Sequence, residues 1–144
     1  MCLAAALSLS GGLALAQPPV PAGRVKVSSG AASVIRNGQA VPAPVGTEVF
    51  ESDIVRTGAD GRPAVMLRDE TRVALGPNSE VALTTFAYAP SESKLGVTLR
   101  VARGVLSYIS GLVAKLAPES VRIQTPTGII GVRGTHVLIR VGLP

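Results

Sequence analysis

Few residues in this chain have the types and spacing that chemistry requires. His136 is the only histidine, and the one cysteine is Cys2. A Cys-His pair in a chain trimmed of its first residues is therefore excluded, as is a His-rich metal site. A Ser-His-Asp arrangement lacks the Gly-x-Ser-x-Gly elbow that usually exposes its nucleophile, and His136 reads instead as a residue on a strand face or packed beside Leu138. Glu48, Glu51 and Asp53 cluster around Phe50, and Asp60, Asp69 and Glu70 fall in turn-like segments. No Asp-x-Asp-x-Asp-Gly loop accompanies them, so turn-forming and solvent-facing roles are expected rather than calcium binding or acid-base work. Gly128, Gly131 and Gly134 recur at three-residue spacing, which matches neither the dinucleotide fingerprint nor a Walker loop. The expectation is a chain with no catalytic residue, no cofactor and no metal. Arg133, inside the glycine-spaced stretch, is the one residue singled out as a partner contact.

The elements that position these residues begin with an export signal. Cys2 to Leu15 is an uncharged run rich in Ala and Leu, and Ala14-Leu15-Ala16 before Gln17 has the small-x-small form of a signal-peptidase site. Residues 1–16 are thus expected to be a signal peptide whose basic opening segment is missing, since no Lys or Arg precedes Arg24. A membrane anchor is the alternative, but the run is shorter than the roughly 20 apolar residues a span needs. Gln17 stands where a lipoprotein would carry cysteine. The destination expected is the periplasm or beyond, with no integral membrane span. Pro18, Pro19 and Pro21 make residues 17–23 a stiff extended leader, and the domain proper is set at 24–141.

Eleven Arg and three Lys against nine acids leave a net charge of +5. The bases are scattered from Arg24 to Arg140, and aromatic residues are sparse, so nucleic acid is excluded as a partner. A mildly basic surface suits acidic protein faces, anionic glycans or headgroups instead.

After the leader the chain reads as short alternating segments broken by turns, with no sustained helical period. Asn37-Gly38 between Val34-Ile35 and Ala40-Val41 signals a type I′ hairpin. A second hairpin is expected where residues 63–67 and 71–75 flank Arg68-Asp69-Glu70. Residues 97–102 form a strand that Arg103-Gly104 breaks, and residues 105–110 form the next. Residues 111–117 are expected as a loop or one helical turn. Residues 125–136 read as a tight glycine-rich crossing between strands at 121–124 and 137–141. The fold class is all-β: a single domain of ten to twelve short strands closing on one core as a roll, a sandwich or a solenoid.

Three blocks in order carry a resemblance to a known family. They are Phe50 to Gly58, Leu67 to Ser79 with Gly61 before it, and Gln124 to Thr135 preceded by Arg103-Gly104. Together they resemble the FecR-type periplasmic domain from about Arg24 to Val141. The resemblance implies a β-rich extracytoplasmic domain without a catalytic centre. In the regulators that name the family, this domain receives a signal from an outer-membrane iron-siderophore transporter and passes it to a sigma factor. The sequence departs from that pattern in three places. A cleavable leader stands where those regulators have a cytoplasmic tail and spanning helix, Glu70 replaces a common glycine, and the chain ends at Pro144 where members run on. A truncated gene model would account for both ends. The function expected is non-catalytic binding of an envelope protein or a cell-wall or surface glycan. The alternatives are a periplasmic part of a signalling relay and, from a different class, a glycan-active hydrolase, for which no acid, base or nucleophile set is visible.

Overall fold

The computed structural model describes residues 20–132 and 135–142. Twelve strands run through the described residues: β1 (Gly23–Val27), β2 (Ala32–Arg36), β3 (Gln39–Pro42), β4 (Glu48–Val49), β5 (Ile54–Thr57), β6 (Ala64–Leu67), β7 (Arg72–Leu75), β8 (Glu80–Ala89), β9 (Lys94–Ile109), β10 (Val121–Thr125), β11 (Gly128–Gly131) and β12 (His136–Val141). One short α-helix, α1 (Leu112–Leu116), and two 3-10 turns at Pro90–Glu92 and Pro118–Ser120 interrupt them. The all-β expectation holds, in the form of a single curled, mostly antiparallel sheet.

The sheet curls because β9 belongs to both of its halves. Lys94 to Arg103 pairs with β8, and Val97 to Arg100 also runs parallel to β10. Beyond Gly104 the same strand pairs with β7 on one side and β12 on the other. One half therefore has the order β3-β2-β5-β8-β9-β10-β11 and the other β4-β1-β6-β7-β9-β12. The two halves enclose a core that includes Val25, Val34, Val55, Val73, Leu99, Leu106, Tyr108 and Ile123. Fully burying a side chain of this size contributes about 2 kcal/mol.

The expected break at Arg103-Gly104 is a bend within a continuous strand. Val97, Leu99 and Val101 face the core at odd positions, whereas Leu106 and Tyr108 do so at even ones. One residue is thus inserted into the alternation, as a β-bulge inserts it, and the strand turns without losing its buried face. Gly104 adopts φ +93°, and a Cβ there would run into the Ser79 hydroxyl and backbone. Period-2 alternation read on either side of the glycine yields two strands, because the parity changes across it.

The two expected hairpins form. Val34 opposes Val41 and Ile35 opposes Ala40, with Asn37 and Gly38 both at positive φ. In the second, Val65 opposes Val73, and Glu70 takes φ +71° where glycine would be unstrained. Residues 112–116 make the single helical turn expected. The glycine-rich stretch differs from expectation. It contains a strand of its own, β11, folded back antiparallel on β10 with Thr125 opposite Gly128, so the crossing to β12 begins only after Gly131. Gly-Ile-Ile-Gly shows no alternation, which hides a strand at a sheet edge. At the other end, Ala22 is buried and its N–H donates to Val49 O at 2.8 Å, so the sheet begins inside the proline-rich segment.

Two tests follow from this architecture. Gly104→Ala is expected to cost about 3 kcal/mol in urea unfolding, from positive φ and the collision with Ser79 together; a loss below 1 kcal/mol on the same scale would remove Gly104 as the determinant of the bend. The second concerns Tyr108. Burial pushes its hydroxyl pKa above the usual 10.0, with the nearby Asp69 charge adding to the rise and Thr71 and Ser110 opposing it. Below pH 10 both folded and unfolded phenols stay protonated and the contribution is constant. Above it the unfolded phenol ionises first, so stability falls as pH rises through the folded pKa. Melting curves between pH 9 and 11.5 should decline less steeply for Tyr108→Phe than for the parent chain (roughly the range set by ordinary phenol titration), and parallel curves would refute the assignment.

Candidate functional site

Four of the nine acidic residues, Glu51, Asp53, Asp60 and Asp69, accept backbone N–H groups. Asp53, 2% exposed, accepts the Phe50 N–H at 2.8 Å and a forked pair of bonds from Arg36, from Nε at 3.0 Å and Nη2 at 2.7 Å. Arg36 also donates to Glu48 O at 3.1 Å, and its guanidinium lies 4.6 Å above the Phe50 ring. Its pKa is held above the usual arginine value, chiefly by the bond to Asp53. Asp69 is wholly buried. It accepts the Thr71 hydroxyl at 2.7 Å and the N–H groups of Thr71 and Val113 at 3.1 and 3.2 Å. Its carbonyl also accepts the Leu112 N–H at 2.7 Å, which ties α1 across one end of the core. Turn-forming and solvent-facing roles are expected for both carboxylates; the turn-forming role holds, since each accepts a nearby backbone N–H, but both are buried and not solvent-facing. Their turns fold inward because the backbone N–H groups there have no ladder partner, and the carboxylates satisfy them.

Other acids are similarly engaged. Glu51 accepts the Phe86 N–H at 3.0 Å and Asp60 the Ala31 N–H at 3.1 Å. Glu48, Glu80 and Glu92 form ion pairs with Arg24, Arg56 and Lys94. Sequence reasoning missed this network because the bonds join positions as far as 44 residues apart. The one local signal was the Asp-x-Thr spacing at Asp69, where an aspartate can bond the backbone two residues on.

Cations are left facing outward, most coherently on the half-sheet that ends in β12. Cross-strand register places Arg24, Met66, Arg72, Ile109 and His136 in one row over β1, β6, β7, β9 and β12. A second row of Ala64, Ala74, Ser107 and Leu138 lies beside it. Val27 at the near end and Leu138 at the far end are 54% and 68% exposed. Lys26, Arg72 and Arg140 have no acidic partner among the described residues, and Glu48, bonded to Arg24 at 3.3 Å, is the acid at the margin of the row. A shallow cleft of about 320 Å³ at the near end is lined by Pro21, Arg24, Lys26, Met66 and Arg68. The Arg68 guanidinium stands 5.3 Å from the Phe86 ring. The face is flat, basic and partly apolar.

His136 lies on this face, exposed, with Nε2 2.8 Å from the Ser107 hydroxyl. That contact joins two members of a Ser-His pair, but no carboxylate bonds to the histidine among the described residues. A serine on a flat strand also lacks the ring of backbone donors that stabilises an oxyanion. No three His, Cys, Asp or Glu side chains converge as a metal site among the described residues. Arg133 and residues 1–16 lie outside the described residues. Among the described residues no helix is long and apolar enough to cross a membrane.

The FecR protein family model matches residues 53–142, more than half of the chain. No curated protein and no solved structure matches the chain. Strands β1 to β4 precede the matched region, yet Val25, Val34 and Val49 on them pack into the same core as the matched strands. With the three sequence blocks, the curled sheet and the family match in agreement, this chain belongs to the FecR protein family.

Proposed function

We propose that this chain is an exported, non-catalytic FecR domain that binds an envelope protein or a cell-wall or surface glycan through the outer face of the half-sheet ending in β12. The observation that carries the reading is the division of charge. Asp53, Asp69 and most other acids are engaged within the fold, while the row Arg24-Met66-Arg72-Ile109-His136 sets Arg72, which has no acidic partner among the described residues, and the Glu48-paired Arg24 beside apolar groups. Mixed apolar and basic surfaces of this kind favour acidic partners and accelerate their encounter. FecR domains are typically periplasmic, and an export signal at residues 1–16 fits that location.

A second reading is favoured by the family itself, whose members are generally regulatory: the domain acts as the periplasmic part of a signalling relay with a separate membrane partner. Binding and relay are compatible, since a relay requires a docking face. A hydrolase has less support, because no carboxylate bonds to Ser107 or His136 among the described residues.

Crosslinking in envelope extract, followed by pull-down, tests the reading. The parent chain is expected to enrich a protein or glycan that Lys26→Glu/Arg72→Glu captures about fivefold less, with capture weakening as salt rises from about 0.1 to 0.5 M. Equal capture by the double variant would remove the outer face from the binding site. A relay adds that deletion changes transcription of a transporter operon, and an unchanged transcriptome would restrict the function to binding.

A further inference from the structure

The half-sheet that carries β10 has an outer face of its own, where cations stand among hydroxyl and amide side chains. Val97, Leu99, Val121 and Ile123 are buried, so by alternation Thr98, Arg100, Arg122 and Gln124 face outward on β9 and β10. The parallel register sets Arg122 beside Thr98 and Gln124 beside Arg100. On the other side of β9, Thr85 of β8 opposes Thr98 and Ala82 opposes Arg100. Here β9 lies between β8 and β10, and β10 lies between β9 and β11. The arginines therefore sit on the face of strands that are paired on both sides.

Charge on this patch is unbalanced. Arg100 and Arg122 are exposed and have no acidic partner among the described residues. Glu80, in the adjoining row, is held by Arg56 at 2.6 Å and is also opposed by Arg103 on β9. Glu119 lines a cleft of about 620 Å³ with Arg122 and Ile129, yet it forms no ion pair with Arg122. Strand spacing puts the Arg100 and Arg122 Cα atoms roughly 8 Å apart on the diagonal between β9 and β10. Two guanidinium forks are thus offered at separate points of one flat surface.

The neighbours of these arginines select the partner. The β12 face intersperses its cations with Met66, Ile109 and Leu138, whereas Thr85, Thr98 and Gln124 surround the pair here. The core of a protein interface is mostly apolar, and a membrane surface is held by apolar insertion. Ile129, 63% exposed on β11, is the large apolar side chain at the margin of this patch. A hydrated polymer needs no such anchor, and hydroxyl and amide groups match the hydroxyls of sugars. One guanidinium fork matches one carboxylate in shape and charge.

We propose that the outer face of β8, β9 and β10 is a second binding site, which takes a glycan bearing carboxylates, of the uronic-acid class. Arg100 and Arg122 each pair with a carboxylate of one glycan chain. Thr85, Thr98 and Gln124 bond its hydroxyls. The site is separate from the β12 face and goes beyond the binding reading above.

Fluorescein-labelled decagalacturonate is the probe, read by anisotropy, with deca-glutamate as a carboxylate peptide and maltodecaose as a neutral glycan. Arg100→Glu/Arg122→Glu reverses the charge at two exposed positions, and Arg62→Glu/Lys115→Glu makes the same change of net charge elsewhere. Thr98→Val/Gln124→Leu removes the hydroxyl and amide while keeping the arginines. The parent is expected to bind decagalacturonate about tenfold tighter than deca-glutamate and to leave maltodecaose unbound. The arginine variant should lose about tenfold or more, and the Arg62/Lys115 variant less than about twofold. The Thr98/Gln124 variant should bring decagalacturonate close to deca-glutamate. Melting temperatures of all three variants should stay near that of the parent. Decagalacturonate binding that is absent, or equal in the parent and the arginine variant, overturns the proposal. So does deca-glutamate binding as tight as decagalacturonate, which makes the site a protein contact. Capture by phosphatidylglycerol vesicles that Arg100→Glu/Arg122→Glu abolishes, without decagalacturonate binding, makes it a membrane contact and has the same consequence. Either reading can fail alone, because the envelope pull-down depends on Lys26 and Arg72 and this titration on Arg100 and Arg122.

Discussion

The bend of β9 at Gly104 is the constraint on which the rest of the structure depends. A strand that serves two half-sheets must turn its pleat by one residue, and that exposes backbone groups which a regular ladder would have paired. Ser79 closes this gap. Its hydroxyl accepts the Val105 N–H at 2.9 Å and donates to Pro77 O at 3.1 Å. Its own N–H donates to the Thr57 hydroxyl at 2.8 Å, and that hydroxyl donates to Gly76 O at 2.7 Å. Both Ser79 and Thr57 are buried, so these bonds form away from competing water, where leaving a group unpaired is costly. Glycine is needed at 104 because the serine occupies the space a Cβ would take. The curl of the sheet and the closure of the core are therefore one arrangement.

The charge distribution follows from that closure. A curled sheet with short connections leaves many turn N–H groups without ladder partners, and carboxylates are efficient acceptors for them. Asp53, Asp60 and Asp69 each accept such a group, and Glu51 accepts the N–H of Phe86 within β8. With the acids so placed, the surplus of bases falls on the outer faces. The basic face is thus a by-product of how the loops are held as well as a candidate for partner contact.

Membership in the FecR family and the packing of β1 to β4 together define the domain more widely than the family match does. The matched region starts at Asp53, inside the turn that Asp53 itself organises through Arg36 on β2. Residues upstream therefore supply a partner for a carboxylate at the first matched position. Strand β1 sits between β4 and β6, so removing it would uncover the β6 edge and the Val65 and Leu67 side chains behind it.

By itself the sequence determined the class of fold, the two hairpins and the family. Those properties are local: Asn37-Gly38 accepts positive φ, alternation from Val65 to Leu75 marks half-buried strands, and the three motif blocks keep their order. Also decided locally was the poverty of catalytic groups, since one histidine and a single cysteine limit the chemistry whatever the fold. Tertiary structure alone decided the rest. It joined the segments on either side of Gly104 into one strand, because the parity change becomes visible only when both flanks face a common core. It buried Asp53 and Asp69, whose partners at Arg36 and Val113 are distant in the chain. It revealed β11 inside the glycine-rich stretch, since a four-residue edge strand takes its identity from β10 and not from its own pattern. The outer row belongs to the same class of fact. Arg24, Arg72 and His136 are separated by tens of residues in sequence, and only strand register sets them side by side.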